Sequence, residues 1–157
     1  MRYQLKRRQQ LRCDIETAWK FFSSPLNLAT ITPKEMNFVV HTALTEGEIF
    51  EGMEIDYTVS PLFNIPLKWK TRITQVDHHK SFTDMQEKGP YKYWKHVHEF
   101  YPNVNGVLMR DTVEYELPFG LLGRVVHKLL VKKKLEKLFN FRFAVLEKYF
   151  DKKITAT

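Results

Sequence analysis

The sequence predicts an α+β domain in which an antiparallel sheet packs against a long C-terminal helix. Residues 36–118 alternate between apolar and polar side chains with a period of two, interrupted by turn signals. Residues 121–150 instead carry apolar side chains at helical spacing. The 157 residues are 43% hydrophobic and 27% charged, a composition typical of a folded globular protein, and we interpret residues 1–157 as one domain.

The N-terminal segment predicts one strand followed by two short helices. In "RYQLKRRQQLRC" alternate side chains share one face of a strand: Tyr3, Leu5, Arg7, Gln9 and Leu11. Asp14 is expected to cap a helix, whose apolar face carries Ile15, Ala18, Trp19 and Phe22. The stretch "PLNLATI" predicts a second short helix, with Pro25 in its first turn and Pro33 after its end.

Six more strands are expected before residue 118, separated by turns near "TEGE", "SPLFNIP", "VDHHK", "EKGPY" and "NVNG". Together with the first strand they predict a curved seven-stranded antiparallel sheet. In "MEIDYTVS" and "LKWKTRI" apolar and polar residues alternate strictly, which indicates one face turned inward and one in water.

The final helix is expected from about Leu121 to Phe150. Its apolar stripe consists of Leu122, Val125, Val126, Leu129, Leu138, Val145, Leu146 and Tyr149. A helix of roughly 30 residues would span about 45 Å. It must therefore lie along the sheet or break near "VKKKLEK". If the sheet is strongly curved, the space between sheet and helix can remain hollow.

The segment "YWKHVHEF" places Trp94, His96, His98 and Phe100 on one face of a strand. Asn105-Gly106 in "NVNG" is a strong signal for a type I′ hairpin turn, because that turn needs positive φ at both central residues. The resulting register sets Phe100 opposite Asp111, His98 opposite Val113, His96 opposite Tyr115 and Trp94 opposite Leu117. Polar groups are thus predicted on the apolar inner face.

Two further charged residues are predicted near this face. Asp84, with Gln86, lies on the same side if "FTDMQEKGP" has the matching parity. Arg142 falls on the inner stripe of the last helix, where a buried guanidinium needs a carboxylate partner, and Asp84 or Asp111 would serve.

This polar set has two main interpretations. It can be a network that satisfies itself and holds the helix on the sheet, or it can be the polar end of a ligand pocket. A metal site of two histidines and a carboxylate, as in non-haem iron oxygenases, is conceivable in geometry. Nothing else in the sequence supports redox chemistry, so we assign no metal and no cofactor.

Cysteine content and charge exclude some kinds of site and some binding partners. Cys13 is the only cysteine, which excludes an intrachain disulfide and a cysteine-based zinc site. No signal-peptide pattern or membrane span is present, and we expect a cytoplasmic protein. The net charge of +7 arises between residues 124 and 153, a segment that contains ten basic and three acidic residues. Nucleic acid is not an expected partner, because this segment has no docking motif or aromatic platform.

Four segments carry a family resemblance: "SPLNLATITP", "FTDMQEKGPYKYWKHVHEF", "MRDTVEYELPFG" and "FNFRFAVLEKYF". With the order of the predicted elements, the chain resembles the START-like or Bet v 1-like superfamily, also called SRPBCC, over its whole length. The four segments are similar to a bacterial ligand-binding subgroup, some of whose members are labelled cell-division inhibitors. The resemblance implies a helix-grip fold with a cavity between sheet and helix. It also implies that the subgroup's recurrent inward-facing residues are Asp84, Trp94, His96, His98, Asp111, Tyr115 and Arg142.

We therefore expect a protein that binds or transports a hydrophobic or amphipathic small molecule, such as a lipid, a polyketide or an aromatic compound. The predicted binding residues are Tyr57, Trp69, Asp84, Trp94, His96, His98, Phe100, Asp111, Tyr115 and Arg142. One alternative is a cyclase or dehydratase that uses His98, oriented by Asp111, as general base. Another is a module that binds anionic membranes or a partner through Lys132, Lys133, Lys134 and Lys137. No catalytic residue is assigned, because a binding protein is favoured over an enzyme.

Overall fold

The computed structural model of the chain describes residues 1–43, 47–61, 64–118, 120, 125–126 and 130–154. In this part of the chain the strands are β1 (Arg2–Leu11), β2 (Val39–Val40), β3 (Glu54–Val59), β4 (Leu67–Asp77), β5 (Ser81–Lys88), β6 (Tyr93–Asn103) and β7 (Gly106–Glu116). They form one antiparallel sheet in the order β1-β7-β6-β5-β4-β3-β2. The seven-stranded sheet predicted from the period-two pattern is confirmed.

The hairpin between β6 and β7 turns one residue earlier than the sequence suggests, which shifts the partner of every paired residue by two. Its central residues are Val104 and Asn105, and Asn103 pairs with Gly106. Asn103 Oδ1 accepts a hydrogen bond from the Asn105 N–H at 2.9 Å, which stabilises the turn at this position. Gly106, with φ of 117°, supplies the positive φ as the first residue of β7. The predicted register was therefore wrong by two residues, and because two is the side-chain period, every residue keeps its predicted face.

Gly106→Ala is expected to lower the free energy of unfolding by about 2–3 kcal/mol, from the positive φ and from steric overlap. A Cβ at this position would collide with the Leu11 carbonyl oxygen and lie 2.9 Å from the Cys13 carbonyl oxygen, both backbone atoms that cannot easily move. Urea denaturation measures the loss. Gly52→Ala is the matched control, because Gly52 has φ of 89° but open space around its Cβ position. Equal losses in the two variants would contradict the steric part of this prediction.

Helix α1 (Ile15–Phe22) begins where the sequence predicts. Asp14 accepts a hydrogen bond from the Thr17 N–H at 2.7 Å as its N-cap. The predicted second helix is a short 3₁₀ segment, Pro25–Leu28, and a further 3₁₀ segment follows at Lys34–Met36. These short turns lead the chain across one end of the sheet to β2.

Helix α2 (Lys132–Ile154) is the predicted C-terminal helix. Its continuously described part begins inside the "VKKKLEK" stretch. Gly120, Val125 and Val126 are also helical and residues 130–131 form a π-helical turn, while the remaining residues between 121 and 129, including the predicted start near Leu121, lie outside the described residues. The stripe residues Leu122 and Leu129 lie outside the described residues, as do parts of the predicted "TEGE", "SPLFNIP" and "LPFG" turns.

The apolar side chains of the sheet and helices form two clusters. One contains Trp19, Phe82, Phe100, Leu146 and Phe150, and joins α1 to the C-terminal half of α2. The other contains Trp69, Trp94, Tyr115, Leu135 and Phe139, and lies under the first half of α2. The inner face of the sheet is therefore packed at both ends, and the space between them holds the site described next.

Candidate functional site

A cavity of ≈ 360 Å³ lies between the inner face of the sheet, the 3₁₀ segments and helix α2. Volumes of a few hundred Å³ are typical of small-molecule sites. Most of its wall is apolar, contributed by both core clusters, with Ile31, Ile55, Val59 and Leu135 among the aliphatic side chains.

Four aromatic rings form one wall of the cavity: Tyr57, Trp69, Tyr91 and Trp94. Tyr57 stacks on Trp69 with ring centroids 5.8 Å apart, and Trp94 meets Trp69 edge-on at 5.3 Å. Tyr91 contacts both tryptophans, at 5.5 and 4.8 Å. Burial raises the pKa of the Tyr57 and Tyr91 hydroxyls, so both remain neutral donors. The wall is therefore aromatic and uncharged, with its rings at different angles.

The indole nitrogen of Trp69 is buried and has no hydrogen-bond partner among the described residues. Buried Trp N–H groups usually find a partner, because an unpaired donor away from water is unfavourable by about 1–3 kcal/mol. Trp69 also lines the cavity. The nitrogen itself is inaccessible, so an acceptor on a bound molecule would reach it only after the ring turned.

A cluster of four ionisable residues, here called the His-Asp cluster, lies at the boundary between the two apolar clusters: Asp84, His96, His98 and Asp111. The pairing of three strands brings them together, with Asp84 beside His96 across β5 and β6, and His98 beside Asp111 across β6 and β7. Carboxylates only accept hydrogen bonds, so the ring nitrogens must donate. His96 Nε2 donates to Asp111 Oδ1 at 3.0 Å, and His98 Nε2 donates to Asp84 Oδ2 at 3.2 Å.

The two remaining ring nitrogens of the His-Asp cluster have no aligned hydrogen bond to a described residue. His98 Nδ1 lies 2.9 Å from Asp111 Oδ1, but its N–H is not aligned for a hydrogen bond. His96 Nδ1 lies 3.7 Å from Asp84 Oδ2, beyond hydrogen-bond distance. The two imidazole rings have centroids only 3.8 Å apart. Both imidazole rings thus lie within 3.0 Å of Asp111, whereas only His98 is within hydrogen-bond distance of Asp84. We call the Asp84 side, which borders the cavity, the open side of the cluster.

The two histidines have opposite charge preferences. Burial opposes the charged form of both rings, and the adjacent His98 further lowers the pKa of His96. In His98 burial is outweighed by the two adjacent carboxylates, Asp111 and Asp84, which raise its pKa to about 9. Burial likewise opposes the Asp111 anion, but His96 and His98 hold the pKa of that carboxyl well below its usual range. At neutral pH the cluster therefore contains a cationic His98, a neutral His96 and an anionic Asp111.

Arg142 lies beside the His-Asp cluster but does not close it. Its Nε donates to the Ile31 carbonyl at 3.1 Å, and its guanidinium lies 5.2 Å from the centroid of the Phe139 ring. Among the described residues no carboxylate forms an ion pair with it, so the prediction that Asp84 or Asp111 would do so was wrong. Burial lowers the pKa of Arg142, while the charge of Asp111 acts in the opposite direction. The Ile31 carbonyl is available because the 3₁₀ region brings the chain against α2, an approach with no sequence signal.

No model of a known protein family matches this sequence, and no curated protein sequence matches it either. Solved structures do match. A START superfamily protein of Mycobacterium smegmatis has a TM-score of 0.69 at 12% identity, over 95% of this chain and 97% of its own. The major latex-like protein 151 of Panax ginseng has a TM-score of 0.68 at 15% identity, over 96% and 98%. A protein of Nitrosomonas europaea has a TM-score of 0.69 at 13% identity, over 97% and 96%.

This chain has the helix-grip fold. The likeness confirms the predicted α+β architecture and the resemblance to START-like and Bet v 1-like proteins at the level of the fold. Helix-grip proteins differ widely in function, so the narrower subgroup and its cell-division label stay predictions.

In the helix-grip cavity most of the ten predicted residues contribute side chains to the wall. These are Tyr57, Trp69, Asp84, Trp94, His96, His98 and Arg142. The other three are buried beside it. Phe100 packs against Trp19 and Phe22, and Tyr115 packs against Tyr3, with burial raising the pKa of Tyr115 to about 12. Asp111 lies behind the two histidines and borders a separate void of ≈ 30 Å³. The alternation along a strand predicts which face of the sheet a residue occupies. It does not predict whether the residue lines the cavity or is buried beside it.

Several cavity residues were not predicted from the sequence. Tyr91 lies in a turn, where no periodicity marks the inner side, and Gln86 holds it there through two hydrogen bonds to its backbone, at 2.7 and 3.2 Å. Gln86 was expected beside Asp84 on the inner face, and its side chain instead serves this turn. Ile31 comes from the turns that follow α1, and Phe139 from α2. The aromatic content of "GPYKYW" is the one signal that could have indicated Tyr91.

Proposed function

We propose that this protein binds a hydrophobic or amphipathic small molecule in the cavity between the sheet and α2. The supporting observation is the cavity itself, ≈ 360 Å³ in volume, with an aromatic wall and one polar end formed by Asp84, His96 and His98. Enclosed apolar sites with a few convergent polar groups are the usual form of small-molecule sites. The volume is at the low end of that class, which favours a compact aromatic, polyketide-like or single-chain molecule.

The polar groups suggest how such a ligand would be oriented. Its apolar body would lie along Tyr57, Trp69 and Trp94, where ring stacking is available. A ligand hydroxyl or carbonyl near Trp69 would accept from the unpaired indole N–H if the ring turned to expose it. A hydroxyl at the open side of the His-Asp cluster could donate to Asp84, whose one aligned hydrogen bond within the described residues comes from His98. Because Arg142 binds the Ile31 carbonyl, it does not saturate Asp84.

Val59→Phe is expected to lower the affinity of the cavity for an amphipathic probe at least about tenfold, or about 1.4 kcal/mol. Val59 is 5% exposed and lines the cavity, so the added ring must occupy space that a ligand would use. Titration with 1-anilinonaphthalene-8-sulfonate, followed by its fluorescence, measures the affinity. Native mass spectrometry of gently purified protein identifies any molecule that is already bound.

The matched control is Val39→Phe, the same substitution at a side chain that is 52% exposed. This variant should bind the probe like the wild type. Equal affinities for all three proteins would show that the probe binds outside the cavity and would contradict the proposed site. Circular dichroism and thermal unfolding verify that both variants are folded.

The cyclase alternative has less physical support. It requires His98 to accept a proton, but at neutral pH the two neighbouring carboxylates keep that ring protonated. The Asp111 carboxylate has its aligned hydrogen bond with His96 rather than with His98. A general base would have to be another group of the cavity.

The surface-binding alternative rests on Lys132, Lys133, Lys134 and Lys137, which are all exposed at the start of α2. In the described part of the chain no helix has the length and apolar character needed to cross a membrane. Contact with anionic lipid headgroups, each lysine contributing about 1 kcal/mol, stays a prediction. Lys134 and Lys137 also border the cavity, so this surface and the proposed site adjoin.

A further inference from the structure

Three potential metal ligands converge at the polar end of the cavity. One donor atom from each of Asp84, His96 and His98 lies within 4.8 Å of the other two. Asp84 Oδ2 is 3.2 Å from His98 Nε2 and 3.7 Å from His96 Nδ1. Ligands at about 2.0–2.2 Å from a tetrahedral ion are about 3.3–3.6 Å apart, so these distances bracket what such an ion requires.

Asp111 orients the first histidine for this role. His96 Nε2 carries its proton toward Asp111 at 3.0 Å, so the unprotonated Nδ1 is on the side of Asp84. Asp111 Oδ1 also lies 2.9 Å from His98 Nδ1 and leaves His98 Nε2 turned toward Asp84. A carboxylate behind a histidine ligand is the usual arrangement in metal sites, because it sets the tautomer and the ring orientation.

The surroundings keep these ligands in place and leave one side of the site accessible. The Phe82 ring stacks on His98 with centroids 4.1 Å apart, and Phe139 packs edge-on against His96 at 5.7 Å. Asp84, His96 and His98 all line the cavity, so a fourth coordination position would face it. Three protein ligands and one open position are typical of metal sites that bind a substrate or water.

We propose that Asp84, His96 and His98 bind one divalent first-row transition metal ion, with Asp111 positioning His96. The ion would replace the proton that His98 Nε2 shares with Asp84, and that proton would leave to solvent. The two carboxylates, Asp84 and Asp111, balance the charge of the ion. This site goes beyond the proposed binding of an apolar molecule and can exist without it.

The test is titration of chelator-treated full-length protein with Co²⁺ alone, followed by visible absorption. We expect d–d bands that saturate at one Co²⁺ per chain and disappear when Zn²⁺ is added. Asp84→Asn and His98→Gln should each weaken binding at least tenfold. Asp111→Asn should weaken it about 10–100-fold while leaving the positions of the bands unchanged, because Asp111 does not contact the ion.

The control addresses a second group of histidines on the surface. His79 Nε2 lies 2.9 Å from Glu16, and His78 Nε2 lies 3.3 Å from Glu48, which makes this pair the obvious rival for Co²⁺. His79→Gln should leave binding unchanged. Absence of saturable binding, or binding that is lost with His79→Gln and kept with Asp84→Asn, would overturn the proposal.

A measurement on the wild-type chain avoids dependence on variants that fail to fold. Paramagnetic Co²⁺ should broaden the nuclear magnetic resonance signals of the Phe82 and Phe139 rings at one equivalent, since both rings pack on the proposed ligands. Broadening confined to Trp19, which contacts both surface histidines, would place the ion elsewhere and refute the site.

Discussion

Replacing Asp111 with alanine is expected to lower the free energy of unfolding by about 3–5 kcal/mol. Asp111 is 7% exposed and lies 3.0 Å from His96 Nε2 and 2.9 Å from His98 Nδ1. Without it, the His96 donor has no partner and the positive charge of His98 has lost one of its two carboxylates inside an apolar surrounding. Removing one member of a buried ionic group is unfavourable because the other charge stays desolvated. Equilibrium denaturation in urea measures the change.

One variant at this position separates charge from packing, and a variant of an exposed aspartate serves as the control. Asp111→Asn keeps the shape and one acceptor oxygen, so it should lose less than the alanine variant, about 1–3 kcal/mol. Asp77→Ala removes an exposed aspartate that lies 3.5 Å from Lys80, and it should change stability by less than about 1 kcal/mol. A loss below about 1 kcal/mol in Asp111→Ala would show that the His-Asp cluster is not a stabilising network.

Trp19→Ala is expected to lower the free energy of unfolding by about 3–5 kcal/mol as well, through the void left by the largest fully buried side chain. Trp19 is 0% exposed, and its ring meets Phe100 and Phe82 edge-on at 5.8 and 6.1 Å. It attaches α1 to the sheet. Helix α1 also carries Phe21 and Phe22 into the cavity wall, so this variant should bind the fluorescent probe more weakly too.

Trp19→Phe serves as the conservative comparison. It keeps an aromatic ring but loses the hydrogen bond from Nε1 to Glu48 at 3.0 Å, and it should lose about 2 kcal/mol. Val104→Ala, at a side chain that is fully exposed in the β6–β7 turn, should change stability by less than about 0.5 kcal/mol. Urea denaturation compares the three. If Trp19→Ala lowered the free energy of unfolding no more than Val104→Ala does, the proposed attachment of α1 by Trp19 would be wrong.

The sequence predicted correctly which face of the sheet each of these site residues occupies, but it did not predict the cross-strand partner of each residue. The alternation in "YWKHVHEF" indicated that Trp94, His96 and His98 share the inner face, and the structure places all three in the cavity wall. The turn was predicted one residue too late, which shifts each strand pair by two, so the direct partner of His98 is Asp111 rather than Val113. A face depends only on parity, whereas a partner depends on the exact register, which a local Asn103 hydrogen bond changed.

The partner of Arg142 illustrates a different limit. Helical spacing correctly predicted that Arg142 lies on the inner side of α2. The cost of burying an unpaired charge then favoured the prediction of a carboxylate partner. The structure provides the Ile31 carbonyl from a 3₁₀ region, while Asp84 and Asp111 are already engaged by the two histidines. Competition among several buried polar groups is decided by distances in three dimensions, and residue types do not contain those distances.

Period-two alternation, turn residues and a helical C-terminal stripe were sufficient to predict the α+β class and the order of its elements, because these patterns are local consequences of backbone geometry. The capping role of Asp14 is equally local. The cavity, the closed and open sides of the His-Asp cluster and the contribution of Tyr91 arose only in the folded chain. They depend on the curvature of the sheet and on contacts between segments far apart in sequence, which no periodicity within one segment encodes.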